Sequence, residues 1–225
     1  MTETEPKLGL FPETAEIRHN HLFIGGCDTV ELAREFGTPL YVFDEATLRH
    51  KAAEFTGEFQ SRYPNTLVIY ACKAFINRAL ALLLKEEGLG LDVVSGGELA
   101  IARSVDSPRE KVYFHGNNKS AKELGEALDW GIGRIVVDNF HELSLLSGLA
   151  QERGMVQDIL LRLSPGIDPH THHLTTTGVM DSKFGFLLAQ AEEAVAGALA
   201  SSHLNLIGLH LHLGSPIFEV EPYQQ

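Results

Sequence analysis

Short apolar runs alternate with helix-type patterns along most of the chain. Between the runs, apolar side chains recur at the three- and four-residue spacing of amphipathic helices. Strands that alternate with helices are expected to form a parallel sheet. This many of them without a reversal of strand direction favour a closed barrel over an open sheet. The predicted strands are residues 66–72, 90–94, 112–114, 135–137, 159–163 and 206–213. The predicted helices follow Asn77 and Ser95 and then cover residues 121–130, 141–153 and 187–200.

The pattern contains about six strand–helix units, the last of them incomplete. An eight-unit barrel usually takes about 250 residues, more than the 225 of this chain. We therefore predict an incomplete TIM-like (β/α)8 barrel over residues 44–225, within a fragment of a longer protein. A phosphate site after the seventh and eighth strands, which is usual in such barrels, would lie outside the fragment.

Residues 1–43 follow a different pattern. Residues 22–26 resemble a short strand and residues 29–36 a helix, and Gly37-Thr38-Pro39 is a turn signal before a second strand at residues 40–43. The first strand has no place in the barrel. We expect this segment to contribute to a β domain whose remainder lies beyond Gln225.

Composition narrows the classes of partner. A formal net charge of -12 argues against nucleic acid and anionic membranes. The two cysteines match no disulfide framework, which indicates a reducing compartment. The N-terminus is acidic, and no apolar run approaches membrane-spanning length. We therefore predict a cytoplasmic protein.

Charged residues stand at or near the ends of several predicted strands. Lys73 follows the first strand, where α/β barrels carry out chemistry and where a partly desolvated amine can act as a nucleophile. Asp92 lies inside the second strand and calls for a partner, either Lys73 or backbone donors. Arg162 lies in the fifth strand and suits an anionic or electron-rich ligand group.

Other polar segments have a structural and a functional interpretation. Glu98 completes a capping box with Ser95, although the two glycines between them would also admit a ligand. Residues 115–120 form a polar loop. A long polar segment runs from His170 to Phe186, and a loop of that length is usually functional or mobile.

The last predicted strand carries two histidines. Its period of two places His210 and His212 on one face, toward the barrel interior, and the leucines on the other face, against helices. The imidazoles could stack on an aromatic ring, move protons or bind zinc as in a hydrolase. His210 could also be a plain core residue.

Six segments together resemble the pyridoxal-phosphate-dependent decarboxylases of the alanine-racemase-like barrel fold. The resemblance runs from about Phe11 to Tyr223. Six such segments in the right order are specific, although each is weak alone. They are residues 70–74, 91–99, 114–120, 161–166, 181–185 and 210–215.

The resemblance implies a role for each matching position. Lys73 is similar to the lysine that attaches pyridoxal 5'-phosphate through its aldehyde. His212 resembles the histidine stacked on the cofactor ring, and Ser215 a donor near the phosphate. Asp92 and Glu98 resemble the acidic pair near the lysine, and Arg162 the arginine near the ring. Residues 181–185 would lie at the edge of the site and at the dimer contact. No metal is implied.

The resemblance also implies an activity, a carbon–carbon lyase of lysine biosynthesis. Within the family it points to the branch that decarboxylates meso-diaminopimelate to lysine and carbon dioxide. Residues 175–178 favour the same branch. The family acts as a homodimer, and its remaining site residues would lie beyond Gln225, so this fragment alone should be nearly inactive. Decarboxylases of ornithine, lysine or carboxynorspermidine stay open, as does a non-catalytic cofactor-binding homologue. Zinc hydrolysis is a weaker alternative.

Overall fold

The computed structural model describes residues 8–167, 184–215, 217 and 219–225. Contacts divide the chain into two compact units. The first contains the chain up to Val68 together with Glu86–Leu89, and the second contains Ile69–Lys85 and the chain from Gly90 onward. The domain boundary predicted between residues 43 and 44 stays a prediction.

The first unit contains a small antiparallel sheet and two helices. The central strand β2 pairs with both β1 and β3, so each strand of this sheet hydrogen-bonds to a strand that is adjacent to it in sequence. The predicted strand at residues 40–43 is wrong, because this segment joins neither sheet and Tyr41 is 88% exposed. The elements are β1 (Glu16–Arg18), β2 (His21–Ile24), β3 (Cys27–Asp28), α1 (Thr29–Phe36) and α2 (Glu45–Arg62).

The second unit alternates strands and helices, as the sequence predicts. All six predicted strands are present, and one helix has the predicted bounds. The elements are β4 (Ile69–Ala71), α3 (Arg78–Glu86), β5 (Gly90–Val93), α4 (Gly96–Ser104), β6 (Val112–Phe114), α5 (Ala121–Trp130), β7 (Arg134–Val137), α6 (Phe140–Glu152), β8 (Gln157–Ser164), β9 (Phe186–Leu187), α7 (Ala191–Ala200), β10 (Leu204–Leu211) and α8 (Glu221–Gln224).

The strands of the second unit form one parallel sheet. Its order is β10-β8-β7-β6-β5-β4, and the two-residue strand β9 also pairs with β8. Parallel strands joined by helices are the arrangement of an α/β barrel. The chain is therefore an incomplete TIM-like barrel preceded by antiparallel strands, as predicted.

The core lies between the sheet and its helices. Leu91 and Val93 of β5 are buried, as are Ile159 and Leu161 of β8. Alternate residues point to the opposite face of a strand, so the residues between these apolar positions face away from the helices. Asp92 and Arg162 therefore share the concave face of the sheet, where β8 pairs with β10 in a register that sets Arg162 beside His210.

The outer face of β10 departs from the prediction. Leu209 and Leu211 were expected to pack against helices, but each is 54% exposed. The same face is exposed at Ile207 too. Strand β10 lies at the edge of the sheet, so it has a neighbouring strand on one side only and the described helices leave this face open.

Candidate active site

A cavity of about 370 Å³ opens at the carboxyl ends of the barrel strands. In parallel α/β folds this end of the sheet is where ligands bind. Four of the six predicted site residues line it, namely Lys73, Asp92, Arg162 and His212. The other lining residues are Val94, His115, Gly116, Asn117, Phe184 and His210.

Lys73 follows β4 in a single 3₁₀ turn, Cys72–Ala74. Strand β4 is at the edge of the sheet, and the Lys73 side chain is exposed rather than partly desolvated as expected. Among the described residues, none forms a hydrogen bond or ion pair with its ammonium. The structure thus presents an amine that opens onto the cavity.

Asp92 lies beside Ala71 in the register of β4 and β5. The predicted ion pair with Lys73 is not formed at contact distance. The nearest titratable side chain is instead His115, whose Nε2 lies 3.6 Å from Asp92 Oδ1. That oxygen is buried and accepts no hydrogen bond within the described chain. Burial raises the pKa of Asp92 to about 7, although the positive charge of Lys73 opposes the rise.

Three histidines border the cavity. The rings of His115 and His210 meet edge to face, with centroids 4.5 Å apart. Burial lowers the pKa of His115 to about 2 and the pKa values of His210 and His212 to about 4. All three imidazoles are therefore neutral at pH 7. His210 Nδ1 is buried and, within the described chain, has no hydrogen-bond partner.

Arg162 supplies a fixed positive charge. Its side chain is 12% exposed, and Nη1 lies 3.8 Å from Asp138 Oδ1. The guanidinium carbon lies 4.8 Å from the centre of the Phe184 ring, within the range of a cation–π contact. Burial lowers the pKa of Arg162, but an arginine this far above neutrality stays charged.

Glu98 does not line the cavity. Its carboxylate accepts a hydrogen bond of 2.7 Å from the backbone N–H of Val94. Ser95 Oγ accepts one of 3.3 Å from the N–H of Glu98 and caps α4. One half of the predicted capping box is thus formed, while the carboxylate binds one residue earlier than the box requires.

The remaining predicted residues lie at or beyond the margin of the site. Ser215 is exposed after β10 and does not line the cavity. The predictions for His170–His173, Thr175–Gly178 and residues 181–183 lie outside the described residues. The roles assigned to individual site residues stay predictions.

Sequence reasoning gave no individual role to His115, Asn117 or Phe184, although all three line the cavity. His115 and Asn117 follow β6 directly, as Lys73 follows β4. Their position after a parallel strand could therefore have identified them as candidate site residues. Phe184 had no such signal, since it reaches the cavity through the pairing of β9 with β8.

The described residues do not favour the zinc alternative. In this part of the chain, no three His, Cys, Asp or Glu side chains are grouped so that they could hold a metal ion. The thiol of Cys72 is buried and does not line the cavity, and burial raises its pKa to about 12. Separately, no helix in the described ranges is long and apolar enough to cross a membrane.

The chain is similar in sequence to proteins named diaminopimelate decarboxylase. It is 51% identical to that of Bacillus subtilis over 204 residues, which cover 90% of this chain and 46% of the relative. The protein from Bacillus methanolicus is also 51% identical, over 88% of this chain and 46% of the relative. The chain thus spans about half the length of the curated relatives it matches.

A solved structure agrees with the sequence comparison. The diaminopimelate decarboxylase of M. jannaschii, crystallised with L-lysine, superposes with a TM-score of 0.85 at 35% identity. The match covers 94% of this chain and 50% of that one. A family model described as the pyridoxal binding domain of pyridoxal-dependent decarboxylases matches residues 46–225. The chain belongs to the pyridoxal-dependent decarboxylase family, through its pyridoxal binding domain.

Proposed function

We propose that this chain forms the cofactor-binding part of a decarboxylase that converts meso-diaminopimelate to lysine and carbon dioxide. One observation carries the proposal. The amine of Lys73, which has no partner among the described residues, opens onto the same cavity as two buried polar atoms that lack a hydrogen bond from the described chain, Asp92 Oδ1 and His210 Nδ1. Buried polar atoms are seldom left unpaired in proteins. A ligand with polar groups is the partner that they lack.

The residues of the cavity fit pyridoxal 5'-phosphate. A primary amine is the group that takes up an aldehyde. The guanidinium of Arg162 suits an electron-rich ring oxygen or nitrogen, and flat neutral imidazoles suit the face of an aromatic ring. The cavity volume of about 370 Å³ lies within the range of small-molecule sites.

The described side chains divide the chemistry between them. Lys73 would hold the cofactor through its amine. The chemistry that pyridoxal phosphate supplies when bound is the acceptance of the electron pair left when carbon dioxide departs. Asp92 can hold or release a proton at Oδ1, because its pKa of about 7 makes both forms available near neutral pH. Arg162 adds positive charge that does not titrate.

The roles of three further residues rest on resemblance. We propose that His212 covers one face of the cofactor ring, which its place in the cavity lining supports. Glu98 would act through the backbone of Val94 rather than by touching the ring, since that N–H holds its carboxylate. Ser215 would donate to the phosphate from its exposed position after β10.

The choice of substrate rests on the relatives. Those at 44–51% identity are named diaminopimelate decarboxylases, and the M. jannaschii protein was crystallised with L-lysine. Ornithine, lysine and carboxynorspermidine stay as alternative substrates. We further propose a homodimer in the cytoplasm, with residues 1–43 contributing to a β domain. The two free thiols, Cys27 and Cys72, support a reducing compartment.

Trapping the cofactor on the protein tests the proposal. The chain is incubated with less than one equivalent of pyridoxal phosphate and treated with borohydride, which makes the link between an amine and an aldehyde permanent. Peptide mapping by mass spectrometry then locates the label. We expect most of it on Lys73, and we expect it to disappear from that peptide in Lys73→Ala.

Lys122 provides the matched control, because its side chain is 83% exposed on α5. Lys122→Ala should leave the labelling of Lys73 unchanged. Label spread over the exposed lysines in proportion to their exposure would contradict the proposal. For the substrate, meso-diaminopimelate should compete for the Lys73 label more strongly than ornithine or lysine. The reverse order would favour a sister decarboxylase.

A further inference from the structure

A buried ion pair lies behind the cavity. The side chains of Lys119 and Glu142 are only 1% and 4% exposed, and Lys119 Nζ lies 2.9 Å from Glu142 Oε1. The same ammonium donates hydrogen bonds to the carbonyl oxygens of Gly116, at 2.5 Å, and Val136, at 2.9 Å. It thus joins the loop after β6 to strand β7 and helix α6.

Through Lys119, the pair reaches one part of the cavity lining. Gly116 lines the cavity between His115 and Asn117, which line it too. Its backbone has a φ of +108°, a conformation that side-chain-bearing residues rarely adopt. The hydrogen bond from Lys119 to the Gly116 carbonyl therefore helps to hold this bend, together with the backbone N–H of His115, which donates to Val93 of β5.

Through Glu142, the pair reaches a second part of the cavity lining. Glu142 Oε2 accepts a hydrogen bond of 3.2 Å from the backbone N–H of Asp138. The carboxylate of Asp138 lies 3.8 Å from Arg162, the cation that lines the cavity. A single buried pair is thus connected to two parts of the lining of one cavity.

Stability alone gives little reason for such a pair. Burial disfavours the charged form of both groups, and it lowers the pKa of Lys119 and raises the pKa of Glu142. Apolar side chains of similar volume can replace buried ion pairs with little loss of stability, or with a gain. What apolar side chains could not reproduce here is the directed contact with Gly116 and Asp138.

We propose that Lys119 and Glu142 are positioning residues that hold two parts of the cavity lining in place, the segment His115-Gly116-Asn117 and the side chain of Arg162. Neither side chain lines the cavity, so neither is a catalytic residue. The inference rests on the proposed function only in taking pyridoxal phosphate as the ligand of the cavity. The placement of the cavity lining is a property of the protein alone.

A double substitution separates positioning from folding. Lys119→Met with Glu142→Leu removes both charges while keeping the volume, so we expect the melting temperature to stay close to that of the parent chain. We expect the NMR signals of the His115 and His210 rings and of Arg162 Nε to move in the unliganded protein. Affinity for pyridoxal phosphate should fall about 10- to 100-fold, the size of effect that loss of an orienting group has at metal sites.

A second variant tests the two parts of the lining separately. In Lys119→Met with Glu142→Gln, the glutamine oxygen can still accept from the N–H of Asp138. We therefore expect the His115 signals to move while the Arg162 signal stays in place. Lys122→Met, which breaks only a surface contact of 3.9 Å with Glu126, is the matched control and should change neither signal.

Unchanged ring and guanidinium signals in a folded double variant, with parent-like affinity, would overturn the proposal and leave the pair a purely structural role. If the double variant does not fold, the same NMR signals in Lys119→Met with Glu142→Gln decide whether the pair positions the cavity lining. If the parent chain takes up no pyridoxal phosphate, the proposed function fails. The NMR comparison, which needs no cofactor, still decides the positioning role.

Discussion

One lysine lies at the mouth of the cavity and another lies behind its wall, and the two differ in exposure and in hydrogen bonding. Lys73 is exposed and, within the described residues, has no hydrogen bond or ion pair. Lys119 is buried, with three oxygens within 2.9 Å of its ammonium. One amine is available for a reaction, whereas the other is fully engaged in holding its neighbours.

The difference shows how a site can be separated from its support. Around Lys119, charge serves to connect elements of the fold. Around Lys73, the buried atoms Asp92 Oδ1 and His210 Nδ1 have no hydrogen bond from the described chain, whereas Glu142 Oε1, which also has none, lies 2.9 Å from the Lys119 ammonium. A protein tolerates such atoms at functional sites more than elsewhere. Three substitutions would break or sharpen this comparison.

Lys119→Met alone should have the largest effect on folding. It leaves the carboxylate of Glu142 buried and without its cation, an arrangement that typically costs about 3–5 kcal/mol. Urea denaturation at pH 7 measures the change in the free energy of unfolding. A loss no larger than that of Lys122→Met on the surface would show that the buried pair contributes little.

Asp92→Asn should stabilise the protein at alkaline pH. The folded-state pKa of Asp92, about 7, lies above its ordinary value of 3.8. Between these two pH values the folded chain therefore keeps a proton on Asp92 that the unfolded chain has released. Stability therefore falls as pH rises from about 4 to about 7, and the full penalty applies above pH 7. At about 1.4 kcal/mol per pH unit, the penalty is at most about 4 kcal/mol. Asparagine removes it.

Denaturation of parent and variant at pH 4 and pH 8 measures this effect. The gain from Asp92→Asn should be present at pH 8 and nearly absent at pH 4. Asp129 is the matched control, because Arg153 Nε lies 2.7 Å from it and lowers its pKa. Asp129→Asn should therefore change stability in the opposite direction, with a loss at pH 8. A pH-independent effect of Asp92→Asn would contradict the raised pKa.

Lys73→Met should have the smallest effect on folding. An exposed side chain without a described partner contributes little to the folded state. We expect a melting temperature within experimental error of the parent value in the absence of pyridoxal phosphate. A clear loss of stability would mean that Lys73 has a structural role, and the contrast with Lys119 would then disappear.

Burial explains which elements could be predicted. Strand β8 and helix α5 bury one face, so their apolar positions repeat with the period of the element, whereas β7 is a continuous buried apolar run. Helix α2 was not predicted, because Ala52 is the only buried side chain among its 18 residues. Instead, α2 carries surface ion pairs such as Arg49 with Glu45, which leave no apolar period.

The candidate site was predicted in part for a related reason. Lys73, Asp92, Arg162 and His212 lie at or near strand ends, where the alternation of a parallel fold brings side chains together. Partners could not be predicted in the same way. Asp92 meets His115 rather than Lys73, because the contact depends on side-chain directions that the period of a strand does not fix.

The exposure of Lys73 has a consequence for selectivity. In the described residues the amine is open to solvent, so any aldehyde in the medium can reach it. Discrimination then falls to the surrounding groups, which must retain one aldehyde longer than others. In such a site selectivity is a matter of residence time rather than of entry.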